Sequence, residues 1–347
     1  MSHTLLPTSM VGSYPQPGWL VDHTLTGTAK VPRIRQPAMW RIPVDVLREA
    51  QDDATIIAIR DQELAGLDII TDGEMRRESY SNYFVNALEG INPHKTGIVS
   101  FKTPDGALVS FPVPLFSGRV KRPGPIEADD VKFLRTNTSR RIKVTLPGPF
   151  TMSEQAETDY YSDRKALAMD LAAAVNEEMK DLFAAGADIV QLDEPWMERC
   201  SERAQEYGLE VLARALDGIS GETALHICFG YGIGVSQKPN AYSFLQQLED
   251  SSIDQISIET AQCHLDLSVL SQLRKKMIIL GVIDLRDQRV EQPESVAKRI
   301  QEAIQFIEPE RLVIAPDCGM KFLPRNVALD KLRAMVDGAA LVRAQIG

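Results

Sequence analysis

The sequence predicts an α/β fold, a (β/α)8 TIM barrel with an inserted β-hairpin segment between strands 2 and 3. Three observations lead there. Short apolar runs alternate with helical segments to the end of the chain, there are eight such runs, and polar residues gather where they end. Alternation of this kind implies parallel strands with right-handed crossovers, and eight of them favour closure into a barrel over an open sheet.

Residues 8–11, 68–71, 142–146, 188–192, 224–228, 255–258, 278–283 and 311–315 read as the strands, being apolar and bounded by Gly, Pro or Asp. Helical periodicity marks residues 46–65, 166–184, 201–216, 242–248, 294–307 and 327–344. Two stretches break the rhythm. Residues 14–44 are rich in Pro and Gly, and within 75–141 two runs, 99–102 and 108–113, flank Thr103-Pro104-Asp105-Gly106, which reads as a hairpin turn. The 347 residues exceed the roughly 250 of a plain barrel by about the length of these two insertions. One domain spanning 1–347 is expected.

Composition narrows the function classes. Hydrophobic residues are 44% and charged residues 25% of the chain, as in globular proteins. With 38 basic and 48 acidic residues the net charge is -10, and the basic residues occur only in short clusters such as Arg76-Arg77. That balance argues against nucleic acid or an anionic membrane as partner. The uncharged run 1–21 is broken by Pro7, Gly12, Pro15, Pro17 and Gly18, so it is neither a membrane helix nor a signal peptide, and a cytoplasmic location is expected. Four cysteines, without a Cys-x-x-Cys pair, are too few for a disulfide scaffold.

In a barrel the loops after the strands converge over one mouth, and chemistry collects there. The strand ends here carry Gly12-Ser13, Asp72-Gly73-Glu74, Asp193-Glu194, His226-Ile227-Cys228, Glu259-Thr260, Asp284 and Asp317-Cys318-Gly319. His226 and Cys228, two apart in an extended run, point to the same side. Cys228 to Glu259 is 31 residues and Glu259 to Cys318 is 59, close to one and two strand-helix units. His226, Cys228, Glu259 and Cys318 are therefore the expected metal ligands. Their soft and borderline donors favour Zn2+ over magnesium or calcium. Cys263 has a less apt spacing, and Cys200 looks incidental.

At these residues the chain resembles the catalytic C-terminal barrel of the cobalamin-independent methionine synthase family, as a short, single-domain member. The matching motifs run from Met10-Val11-Gly12-Ser13-Tyr14-Pro15 through Asp72-Gly73-Glu74, Gly148-Pro149, Gln191-Leu192-Asp193-Glu194-Pro195, His226-Ile227-Cys228 and Ile258-Glu259-Thr260 to Pro316-Asp317-Cys318-Gly319. The resemblance implies a zinc-dependent homocysteine S-methyltransferase that forms methionine. It implies that Ser13 with the backbone of Val11 and Gly12 holds the homocysteine carboxylate, while Glu74 and Asp193 hold its ammonium. Asp193 would also serve catalysis, with Asp284 as a positioning acid.

The chain departs from the family in two places. It has no room for the second barrel that helps long members hold a polyglutamated folate. Where folate-using members show Tyr-Asp-Ile-His after the seventh strand, this chain has Val282-Ile283-Asp284-Leu285-Arg286, so the expected proton-handling His is replaced by a permanently charged Arg286. The methyl donor is left as methyltetrahydrofolate or a methylcorrinoid, with an accessory or corrinoid protein as a candidate partner. Trp196 either supplies a stacking wall for a flat donor or packs. Three alternatives stand beside this reading: another zinc-dependent thiol alkyltransferase such as the branch joining coenzyme M to epoxides, a non-catalytic zinc-binding paralogue, and a metal-free barrel of the uroporphyrinogen decarboxylase type.

Overall fold

The computed structural model describes residues 4–25, 31–102, 108–230 and 238–347. Its strands are β1 (Ile69–Ile70), β2 (Glu89–Lys102), β3 (Leu108–Lys121), β4 (Arg141–Pro147), β5 (Glu157–Thr158), β6 (Ile189–Asp193), β7 (Glu222–His226), β8 (Gln255–Ile258), β9 (Met277–Ile283) and β10 (Leu312–Pro316). Seven of them form a parallel sheet in the order β1-β4-β6-β7-β8-β9-β10. The eighth expected strand is reduced to two parallel bridges, Thr8 to Ile314 and Ser9 to Ile69, which join the two edges and close the barrel. Ser9 N donates to Ile314 O at 2.9 Å and Ile69 N to Thr8 O at 3.0 Å. Closure leaves no unpaired sheet edge, which is why so short a segment is worth retaining.

Alternation along the strands sorts residues into two layers. Leu192, Leu225, Ile256, Ile258, Ile278, Leu280 and Ile314 face outward into the main core beneath the helices. Ile69, Ile189, Ala224, Ile279, Val313 and Ala315 fill the barrel interior as a separate cluster. The interior also carries polar side chains: Lys143, Thr145, Gln191, Gln255 and Ser257 are all buried. Lys143 Nζ has no hydrogen-bond partner, and burial pulls its ammonium down to about 7.

The helices Leu47–Ala65, Arg164–Ala184, Pro293–Ala303 and Arg325–Ile346 match expectation. The first ends on Gly66 at φ 89°, the left-handed cap glycine tolerates best, and the second starts on Asp163, whose carboxylate accepts from Ala166 N. The expected helix at 242–248 is instead a 3-10 turn, Leu245–Asp250, and a second 3-10 turn, Leu267–Gln272, lies between β8 and β9. The segment expected as one helix at 201–216 contains a π turn at Ala204–Gly208 between Ser201–Arg203 and Leu209–Ala215.

The inserted hairpin is longer than expected. β2 and β3 pair antiparallel, with register shifts between Glu89 and Ile91 and between Ile91 and Thr96, and β5 adds to β3 through Leu115 and Glu157. Pro93, Pro112 and Pro114 interrupt the alternation, so only the clean ends of the two strands are legible as a pattern. The Asp-Gly turn lies outside the described residues. The stretch 75–141 also holds the helix Ala128–Asn137, which packs on Leu47–Ala65 and Arg164–Ala184 as one of the barrel's own.

Candidate active site

His226 ends β7, and its Nδ1 lies 2.9 Å from Ser257 Oγ on the neighbouring strand. That contact orients the ring and leaves Nε2, which is buried and has no partner. Cys228 sits two residues beyond, past the strand end, and Cys318 follows β10. The sulfurs are 3.9 Å apart, and both thiols are free. The ligand atoms of His226, Cys228 and Cys318 all lie within 4.8 Å of one another, a group that could hold a metal ion. Hydrogen bonding with Cys228, and the nearby His226, hold the Cys318 thiol below its ordinary value, whereas the same pairing and burial push Cys228 up. Asp317 anchors this loop by accepting from Thr260 N, Ala261 N and Gln262 N at 3.1, 3.0 and 2.7 Å.

Glu259 is not part of that group. It is fully buried, accepts from Phe229 N at 3.2 Å and forms an ion pair with Lys238, whose side chain is also fully buried. Lys238 follows the residues after Cys228 and was not foreseen, because a single lysine in loop-like sequence carries no signal of its own. Cys263 donates to Glu259 O at 3.2 Å and stays outside the group, its thiol pushed up to about 12 chiefly by burial.

The second half of the site is acidic. Glu74 is buried at φ 58°; Oε1 accepts from Thr145 Oγ1 at 3.3 Å, while Oε2 has no partner. Burial raises its carboxyl to about 7 against the lowering effect of Arg77, and Asp193 raises it further. Asp193, at the end of β6, accepts from Gln191 Nε2 at 2.8 Å, and burial raises it as well. Two buried acids that disfavour each other's charge are a receptor for a cation. Arg77 props this half: its guanidinium donates to Thr145 O at 2.8 Å and to Glu127 at 2.7 Å. Arg76 and Arg77, an ordinary basic pair in the sequence, are both almost wholly buried.

Val11, Gly12 and Ser13 thread between the halves. A Cβ on Gly12 would lie 2.7 Å from Glu74 Oε1, and one on Gly319 would lie 2.2 Å from Ser13 Oγ, so a side chain at either position would displace Glu74 or Ser13. Met320 N donates to Ser13 O at 2.8 Å, which ties Ser13 to the Cys318 loop. Asp284 stands apart: its Oδ1 accepts from Arg286 N at 2.8 Å and closes its own turn. Glu194 is structural, its two oxygens accepting from Phe150 N and Thr151 N at 2.9 and 2.7 Å at the start of the helix Pro149–Glu154. A surface cleft beside Leu216, Glu222 and Asp254 lies at the opposite ends of the strands. Among the described residues no helix is long and apolar enough to cross a membrane.

Comparison with known proteins agrees with this geometry. Residues 6–341 match the model of the family described as cobalamin-independent synthase, catalytic domain. A methionine synthase of Thermococcus kodakarensis is 34% identical, over 100% of this chain and 96% of its own length. One from Sulfurisphaera tokodaii is 33% identical, over 99% and 94%. A solved B12-independent methionine synthase from Shewanella sp. W3-18-1, in complex with selenomethionine, superposes with TM-score 0.88 at 35% identity over 99% of both chains. The chain belongs to the cobalamin-independent methionine synthase family and is a methyltransferase on a TIM barrel.

Proposed function

We propose that this chain acts in the cytoplasm as one catalytic domain, a zinc-dependent homocysteine S-methyltransferase. The single observation that carries the reading is the orphaned, buried Nε2 of His226 facing two free cysteine sulfurs, beside a pair of buried acids. Zinc suits a nitrogen and two sulfurs, and Glu259 is the nearby oxygen donor. Held by His226, Cys228, Cys318 and Glu259, the ion would bind the homocysteine thiol and lower its pKa, so that the sulfur is a thiolate at neutral pH.

The protein's own groups then fix the amino acid. Glu74 Oε2 and Asp193 take its ammonium in charge-assisted hydrogen bonds, which satisfies two carboxylates that burial leaves poorly paired. Ser13 and the backbone of Val11 and Gly12 take its carboxylate. The positioned sulfur attacks the donor's methyl group in line: the S–CH3 bond forms as the donor–CH3 bond breaks, the donor atom keeps the electron pair, and homocysteine becomes methionine. The Shewanella protein's complex with selenomethionine supports an amino-acid site of this size. A thiol bearing a sulfonate would meet two carboxylates, which disfavours a coenzyme M reading. Asp284 holds its loop. The methyl donor is methyltetrahydrofolate or a methylcorrinoid delivered by a protein partner. The test is methionine formation from homocysteine with each donor in parallel, alongside zinc content. Cys318→Ser should lose bound zinc and turnover together, and wild-type levels of both would refute the assignment.

A further inference from the structure

Glu74 is held at φ 58°, a backbone conformation that residues with side chains rarely adopt, so the turn around it has to be fixed from outside. Ahead of it, Tyr14 N donates to Gly73 O at 3.0 Å. Behind it, Gln16 Nε2 is shared among Glu74 O, Met75 O and Arg77 O at 3.4, 3.1 and 3.1 Å. A further tie comes from the far end of the chain. Lys321 Nζ donates to Arg77 O at 3.2 Å and to Glu78 O at 3.0 Å. Lys321, Arg77 and Glu78 are all buried.

Lys321 also belongs to the loop that follows β10, where four consecutive residues touch both halves of the site. Cys318 brings one sulfur of the metal group. Gly319 packs so closely on Ser13 that a Cβ there would lie 2.2 Å from its Oγ. Met320 N donates to Ser13 O at 2.8 Å. Lys321 then reaches across to the Glu74 turn, and the charges of Lys321 and Glu74 each favour the other. Burial pulls the Lys321 ammonium down to about 8 against the opposing effect of Glu74 and Glu78. An ammonium is expensive to bury, whereas its charge makes a strong donor to two carbonyls. A tie between two loops is a role that uses both properties.

We propose that Lys321 is a positioning residue that couples the metal site to the amino-acid site. An ion that fixes Cys318 fixes the loop carrying Lys321, and Lys321 holds Glu74 where it takes the substrate's ammonium. This rests on the methyltransferase reading above and extends it, since the metal then prepares the amine pocket as well as the thiol. Coupling between two sites is reciprocal, and about tenfold is an ordinary size for it. A direct effect of the ion's charge on a bound ammonium acts through space and does not need Lys321.

Norleucine separates this coupling from ligation, because it keeps the amine, carboxylate and length of methionine but has a methylene in place of the sulfur. Its affinity is measured by calorimetry on full-length protein, zinc-loaded and chelator-stripped, for wild type, Lys321→Met and Lys321→Arg. Zinc content is determined in parallel, and methionine is titrated into the zinc-loaded wild type. Wild type should bind norleucine about tenfold tighter with zinc than without. Lys321→Met should keep its zinc yet reduce that ratio to about twofold or less, and Lys321→Arg, which keeps the charge and the donors, should restore most of it. Should Lys321→Met fail to fold, Lys321→Gln, which is uncharged but polar, is read in the same way. A wild-type norleucine affinity that zinc does not raise, undetectable binding in both forms included, would overturn the proposal, and so would an undiminished ratio in the uncharged variant. Either result leaves the methyltransferase reading in place as long as zinc-loaded wild type binds methionine. Failure to bind methionine would remove that reading and the coupling with it.

Discussion

At the scale of single residues, burial does most of the chemistry. Glu74 is an ordinary carboxylate in the sequence, yet its position under the mouth raises it to about 7. An acid whose folded value lies above its unfolded value contributes stability that is fullest below the unfolded pKa of 4.5 and is lost as pH rises through about 7. The ligand's ammonium needs the ionised form, so binding has the opposite sign. Methionine affinity should rise as pH increases through about 7 and level off above it, as followed by titration between about pH 5.5 and 8.5. Glu74→Gln should weaken binding by about 10- to 100-fold and flatten the profile. Lys238 makes the complementary point. Removing one partner of a buried pair costs about 3–5 kcal/mol, but a bound cation replaces the lost charge beside Glu259. Lys238→Met should therefore lower Tm more in chelator than in zinc, so that the zinc-dependent rise in Tm exceeds that of wild type. The grouping of His226, Cys228 and Cys318 was legible from spacing, because one strand-helix unit has a nearly fixed length, while Glu259, expected with them, lies outside the group. The Lys238 pairing was not, since it depends on how an irregular loop folds back over Glu259.

At the scale of elements, the strands were legible wherever apolar alternation was unbroken, and less so where pairing is set by distant chain. The closing segment at Thr8 and Ser9 survives as two bridges because both edges of the sheet reach it, a tertiary circumstance invisible locally. Two crossovers expected to be helical or left unread are 3-10 turns, Leu245–Asp250 and Leu267–Gln272. The short helix Pro149–Glu154 shows how the Gly148-Pro149 motif is structural. Pro149 opens it, and Glu194 caps its first N–H groups. Gly148 is required because a Cβ there would lie 2.1 Å from Glu194 Cδ. Gly148→Ala should cost about 1–3 kcal/mol in denaturant unfolding by forcing the cap aside, while leaving zinc content unchanged.

At the scale of the whole molecule, the barrel supplies an apolar plug, buried polar side chains, and a mouth where β6, β7, β8 and β10 deliver acid, imidazole and thiols within reach of one another. The insertions add what the barrel lacks: Arg33 from the first and Phe111 from the hairpin reach the same mouth. Fold class and the grouping of His226, Cys228 and Cys318 followed from period and spacing, whereas the acidic half followed only from the family resemblance. The packing of Arg33 on Tyr80 and Phe111 followed from neither, because these residues come from segments with no common repeat. The central claim is that His226, Cys228, Cys318 and Glu259 would hold a zinc ion that also takes the substrate sulfur. Zinc-edge X-ray absorption, with and without homocysteine, tests it most directly. The account predicts two protein sulfurs at about 2.3 Å in the free enzyme and a third sulfur at a similar distance once homocysteine is added. A sulfur count that homocysteine leaves unchanged would contradict it.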